Sequence, residues 1–234
     1  MPTVIEWPIE LLTPGSVRAS VVPFTRGGGT TLGGITPSVR TDLGYWAIDY
    51  MTILLRNRDK AQWSVWNAIR QKLGGRSGPI LVPVRSALSA PYESGRYEEP
   101  ALLPHSDGSS FSDGSLYLQG SISVQAVGTV SVGSTAMRMR MIKGAPNLAG
   151  VRFSYGNALY ETGPASDIDG DIWSVPIWPA ARSIIPDGAY LEFDRPACVC
   201  RLADDRGMDI DQNTLSKHAI TSVSFIEDVE YWSA

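Results

Sequence analysis

What this sequence has little of guides its reading. Among 234 residues there are two cysteines and two histidines, too few for a disulfide-stapled scaffold and without any Cys/His cluster at zinc spacing. The cysteines, Cys198 and Cys200, stand two apart in "PACVCRL". On a strand their Cα atoms would lie about 6.5 Å apart with parallel side chains, poor geometry for a mutual disulfide. They read instead as two small buried apolar groups. No apolar run approaches the roughly 20 residues needed to span a bilayer, so no membrane anchor is expected. The start, "MPTVIEWPIELL", lacks the charged opening, apolar centre and cleavage site of a secretory signal, and synthesis in the cytoplasm is the expectation. A basic excess is missing too. The net charge of −4 argues against nucleic-acid binding as a whole-surface property.

What is present is an ordinary folded composition, 43% hydrophobic and 19% charged, long enough for one large domain or two small ones. Only "RNRDKAQWSVWNAIRQKLGG" reads as a helix, at about 58–73. Asn57 or Asp59 can cap it, Val65, Trp66, Ile69 and Leu73 share a stripe, and Gly74 ends it. Most of the rest reads as strand. In "STAMRMRMI" Met137, Met139 and Met141 alternate with Arg138 and Arg140, and "ITSVSFIEDVEYW" sets Val223 and Phe225 against Ser222 and Ser224. "SLYLQGSISVQA" alternates and then changes phase near Gly120, as at a bulge or bend. "LGYWAIDYMTILL" is apolar on both faces, with Trp46, Ile48 and Tyr50 on one and Tyr45, Met51 and Ile53 on the other. Such a strand expects cover on both sides, by the helix and by a neighbouring subunit. From Ser86 to about Gly128 the composition turns to Ser, Gly, Pro and acids, the signature of a long surface loop or domain edge.

The candidates for chemistry fall away in turn. "TRGGGTTLGG", residues 25–34, has the glycine density of a phosphate cradle but no lysine, and a strand rather than a helix is expected after it. It reads as a pliable hairpin loop. Asp167, Asp169 and Asp171 in "SDIDGDIW" could face a calcium ion, but the glycine and distal glutamate of a calcium loop are out of register, so a solvated hairpin tip is expected. His105 and His218 have no nucleophile signalled beside them, there is no G-x-S-x-G elbow, and nothing selects Glu98 and Glu99 as a glycosidase pair. No catalytic residue, metal site or cofactor is expected. Of the seven tryptophans, Trp173 and Trp178 could instead stack on sugars, which keeps a carbohydrate- or receptor-binding module as the alternative reading; a cell-wall hydrolase is a more distant one.

The order of features carries a resemblance. A Pro-rich start, "WPIELLTPGSVRASVVPFTRGGGTTLGG", leads to "DLGYWAIDYMTILL" and then to a helix ending in "LGGRSGPILVPV". A β-rich unit follows, closing on "IWPAARSIIPDGAYLEFDRPACVCRLADD", and the last strand is "ITSVSFIEDV". From Trp7 to Val229, apart from 86–128, this resembles the minor tail proteins at the tail tip of long-tailed bacteriophages and gene transfer agents. It is most similar to the distal tail protein group. The resemblance implies a mainly β fold: a β-sandwich ring domain with one α-helix, from residues 1–85 together with 195–234. A small β-barrel-like peripheral domain, 86–194, would be inserted in it. It implies a virion protein of the tail tip or baseplate, structural rather than enzymatic, forming a homo-oligomeric ring that is commonly a hexamer. Its partners would be the tail tube protein, the tail hub and other tail-tip proteins, with the tape measure protein as a further neighbour. DNA would meet it only in transit through the lumen. The residues that fit an oligomer interface are Gly27, Gly28, Gly29, Gly33 and Gly34 of the loop, Trp46 and Tyr50 of the doubly apolar strand, and Trp66 of the helix.

Overall fold

The computed structural model describes residues 4–30, 32–34, 38–84, 89–103, 117–210 and 216–232. In chain order its strands are β1 (Ile5–Glu6), β2 (Ser16–Gly27), β3 (Ser38–Arg56), β4 (Ile80–Pro83), β5 (Ala101–Leu103), β6 (Tyr117–Gln119), β7 (Ser123–Val127) and β8 (Ala136–Lys143). They continue as β9 (Arg152–Tyr155), β10 (Ala158–Thr162), β11 (Asp167–Asp169), β12 (Ile172–Trp178), β13 (Tyr190–Leu191), β14 (Ala197–Leu202) and β15 (His218–Glu227). One α-helix, α1 (Lys60–Leu73), follows β3. The fold is mainly β, and the chain divides into two compact units: Met1–Val84 with Ala197–Ala234, and Arg85–Pro196.

The first unit is a six-stranded sheet in the order β1-β4-β14-β15-β3-β2, parallel between β1 and β4 and antiparallel elsewhere. Helix α1 starts where it does because the Asp59 side chain accepts the N–H groups of Ala61 and Gln62, orphan donors of the first turn. It stops at Gly74, whose φ of 56° costs a glycine little. Its stripe of Trp66, Ile69 and Leu73 is buried. The centre of the core is Trp7, whose ring meets Tyr50, Trp66 and Phe225 edge-on at 5.6, 6.0 and 5.5 Å. The polar tips of these three aromatics are satisfied: Trp7 Nε1 donates to Leu12 O, Trp66 Nε1 to Met208 O and the Tyr50 hydroxyl to Pro83 O. Three large aromatics thus bury apolar area without the cost of an unmade hydrogen bond.

Strand β3 departs from simple alternation. Trp46, Ile48 and Tyr50 face the core as expected, but Ile53 and Leu55 are buried on that same face. Expecting Ile53 opposite them, with Tyr45 and Met51, is therefore incorrect. The cause is Thr52, which takes a φ of 58°. There the register against β15 shifts, with Val223 opposite Tyr50 and Thr221 opposite Ile53. One extra residue in β3 reverses the side-chain phase. Gly15 N–H donates to both Met51 O and Thr52 O across the bulge. The outer face then carries Tyr45, Ala47, Asp49 and Met51, half-buried.

The second unit contains a nearly closed barrel, β13-β7-β8-β12-β10-β9, with β11 paired to β12. An antiparallel bridge between Ser154 in β9 and Glu192, just past β13, brings the two ends together. Phe153 stacks on Tyr160 and Phe193 at 5.3 and 5.4 Å, and Met137 and Met139 of β8 are buried as well. The β9–β10 turn is Gly156–Asn157, both at positive φ, the twist a two-residue hairpin needs. The phase change at Gly120 is where β6 ends and β7 begins, in a different sheet. Residues 86–128 are not one surface loop: β5, β6 and β7 lie in them, and Tyr92 is buried. His105 falls outside the described residues.

Candidate functional site

The feature of the first unit that most needs explaining is the β2–β3 hairpin. β15 pairs with β3 from Arg56 to Ala47. β2 goes on pairing with β3 to Gly27 opposite Ser38. Beyond Ala47, therefore, the hairpin is a two-stranded ribbon. The change is marked chemically on both sides. At the last β15 position the nearly buried Glu227 carboxylate accepts Trp46 N–H at 2.9 Å, in place of a further backbone pair. On β2 the register shifts between Val22 and Phe24, at Pro23, which has no N–H to give and is tolerated on an edge strand. Past that point Phe24 is 53% exposed, its ring 5.6 Å from Tyr45, and Leu32 at the tip is fully exposed.

The sequence-derived interface residues separate into two groups. Gly27, Gly28, Gly29, Gly33 and Gly34 lie at the ribbon tip and are all exposed. Gly34 has φ 76° and nothing within 4 Å of where a Cβ would stand, so a turn conformation rather than crowding explains it. Trp46, Tyr50 and Trp66 are no more than 1% exposed, inside the core of the first unit. They present nothing for a second subunit to touch, and placing them at an interface needs correction. A doubly apolar strand reads alike whether its second face meets a helix, a bulge or a partner. Phe24 and Leu32, which composition gave no reason to single out, are exposed apolar groups in the ribbon part of the same hairpin.

A second feature is a notch at the other end of the β3–β15 pair. Leu54, Arg56, Asn57, Arg58, Ser216, Lys217 and His218 enclose about 580 Å³. Register places Leu54 opposite Ile220 and Arg56 opposite His218. Its backbone is pinned: Asn57 N–H donates to Lys217 O at 3.0 Å, and Asn57 Nδ2 to Ser216 O at 2.6 Å. Arg56 N–H donates to Gln62 Oε1, and Arg56 O accepts from Trp63 Nε1 and from Asp59 N–H.

In the second unit, the half-buried Asp194 carboxylate pairs with the buried Tyr92 phenol. Burial, with the nearby Glu192 charge, pushes the Asp194 carboxyl above its ordinary range. Hydrogen bonds from Ile122 N–H, the Tyr92 hydroxyl and Ser121 N–H oppose that rise. The Tyr92 phenol is pushed up by burial and by Asp194. A Cβ at Gly120 would stand 2.7 Å from Asp194 Oδ2, which explains the glycine there. Asp167, Asp169 and Asp171 lie around the exposed β11–β12 tip, and Asp171 pairs with Arg140 at 3.2 Å. Among the described residues, no group of three or more His, Cys, Asp or Glu is placed to hold a metal ion. Hydrogen bonding from the Ser94 side chain, and then from Ser94 N–H, lowers the Glu98 carboxyl from the ordinary value. Trp173 and Trp178 lie half-buried in β12. No helix of the described residues is long and apolar enough to cross a membrane. No family model matches the chain, and no curated protein matches it.

Proposed function

We propose that this chain is a structural subunit of the tail tip of a long-tailed bacteriophage. Copies of it would close into a ring, commonly a hexamer, at the end of the tail tube. Its neighbours would be the tube protein, the hub and the tape measure protein, with DNA passing through the lumen. The observation that carries this reading is the β2–β3 ribbon. A two-stranded ribbon by itself is marginal in water, and one bearing an exposed Phe24 and Leu32 gains only by lying on another surface. β2 is also the edge of its sheet over twelve residues, and such edges are what neighbouring chains extend. A head-to-tail contact between unlike patches closes into a ring when its rotation divides a full turn. A ribbon reaching from one copy to the next supplies a contact of that kind. Obligate contacts bury more than about 1,000 Å², for which the ribbon and the β2 edge together offer the surface.

The test is assembly. Light scattering should find a discrete oligomer, and tail preparations should contain the chain. The double variant Phe24→Ser/Leu32→Ser should remain folded but fail to oligomerise. A protein that stays monomeric at every concentration and is absent from tail fractions would overturn the proposal.

A further inference from the structure

We infer that the notch between the β3–α1 turn and the start of β15 is a binding site for a small phosphate-bearing organic ligand. This inference does not rest on the ring reading. Its first support is unspent charge. Arg56, Arg58 and Lys217 all line the notch and are exposed. Among the described residues none of the three side chains has a carboxylate partner. The nearest acid in sequence, Asp59, spends its carboxylate on the N–H groups of Ala61 and Gln62. In a chain with 24 acids against 20 Lys and Arg, three permanent cations and a histidine gathered without an acid is not what net composition provides. Guanidinium forks match the paired oxygens of a phosphate, and lysine adds a mobile point charge.

The second support is preorganisation. The two segments that carry the cations are 159 residues apart in sequence, yet Asn57 ties them with hydrogen bonds to the carbonyls of both Lys217 and Ser216. The Ser216 hydroxyl donates to His218 O and accepts from His218 N–H, fixing the second segment locally. Cations mounted on a pinned backbone lose less freedom when a ligand arrives.

The third support concerns what kind of phosphate. The volume, about 580 Å³, is in the range of small-molecule sites and much larger than a bare ion needs. Leu54 and Ile220, paired on the outer face, are 39% and 60% exposed and stand on the residue pair beside Arg56 and His218. Leu54 lines the notch itself and offers an apolar wall to the organic part. A polymer tracked along its phosphates would need the positive charge to continue. Along the same face come Met51, Ser222 and Ser224, and the next cation, Arg18, stands opposite an acid, Asp49, so the charge does not run on as a track. The notch is compact, and so is its ligand.

The experiment uses the full chain, titrated by calorimetry with glycerol 3-phosphate at constant ionic strength. Sodium acetate, glycerol and a ten-residue oligothymidylate serve as parallel probes. Glycerol 3-phosphate should bind saturably, more tightly than acetate, while glycerol gives no signal. Arg58→Ala and Lys217→Ala should each weaken it about tenfold, as expected for loss of one charge-assisted contact. Both are exposed positions, so the melting temperature of the free protein should not move. Absence of saturable binding, equal binding by acetate, or unchanged binding in the Arg58→Ala/Lys217→Ala double variant would overturn the inference. Oligothymidylate bound in preference to glycerol 3-phosphate would also overturn it, assigning the notch to nucleic acid.

Discussion

One hairpin, β2–β3, lives in two environments. From Ala47 to Met51 its longer strand lies between β2 and β15, from there to Arg56 it stays paired with β15, and it contributes Trp46 (at the boundary), Ile48, Tyr50, Ile53 and Leu55 to the core. Toward the tip the same hairpin is a ribbon, with Phe24 and Leu32 exposed. The difference teaches that the aromatic content of a strand does not say where its energy is spent. In the first half it stabilises the subunit. In the second it leaves Phe24 and Leu32 exposed, which the proposed ring assigns to a contact with the next copy.

Substitutions can break that comparison. The largest effect belongs to the core half: Trp46→Ala should cost about 3–5 kcal/mol in urea unfolding, through lost burial and the cavity left behind. Next comes Thr52. A β-branched residue at φ 58° stores strain of about 1 kcal/mol or more. Thr52→Gly should therefore raise stability despite the flexibility of glycine, measured by the same unfolding curve. A loss of stability there would mean that the bulge is not strained. At the ribbon, Phe24→Ser with Leu32→Ser should change subunit stability by less than about 0.5 kcal/mol, as exposed substitutions do, while abolishing the oligomer. If instead the double variant unfolded easily, the two halves would be one cooperative core and the contrast would vanish.

Asp194 in the second unit supplies an outside control with a defined sign. Its carboxyl is raised in the folded state, so folding holds that proton more tightly than the unfolded chain does. Its contribution is most favourable below the ordinary carboxylate range. It is lost as pH rises through the raised value. Asp194→Asn removes this dependence, and its stability relative to the parent protein should be greater at pH 7 than at pH 4, by thermal melts. Neither half of the hairpin should respond. A variant whose relative stability does not change with pH would contradict the assignment.

How much of this could be read in advance follows from how local each signal is. The limits of α1 were legible because Asp59 and Gly74 act within one turn of the helix they bound. The alternation in β8 was legible because period two survives wherever one face is wet, and Met137 and Met139 are indeed inside with Arg138 and Arg140 outside. The bulge at Thr52 was not, because threonine is a good strand former and nothing in its neighbours announces a positive φ. Trp46, Tyr50 and Trp66 could not be told from interface residues because cores and interfaces bury the same aromatics. The notch was invisible for a different reason. Its cations come from segments at opposite ends of the first unit's sequence, which only the β3–β15 pairing brings together.

The central claim is that this chain is a ring-forming tail-tip subunit whose β2–β3 ribbon engages the next copy. Negative-stain electron microscopy of the purified protein tests it most directly. The account predicts closed rings for the parent protein and single particles for Phe24→Ser/Leu32→Ser at the same concentration. Rings that persist unchanged in the double variant would contradict the role of the ribbon. Single particles from the parent protein, at every concentration and after addition of tail tubes, would contradict the ring itself.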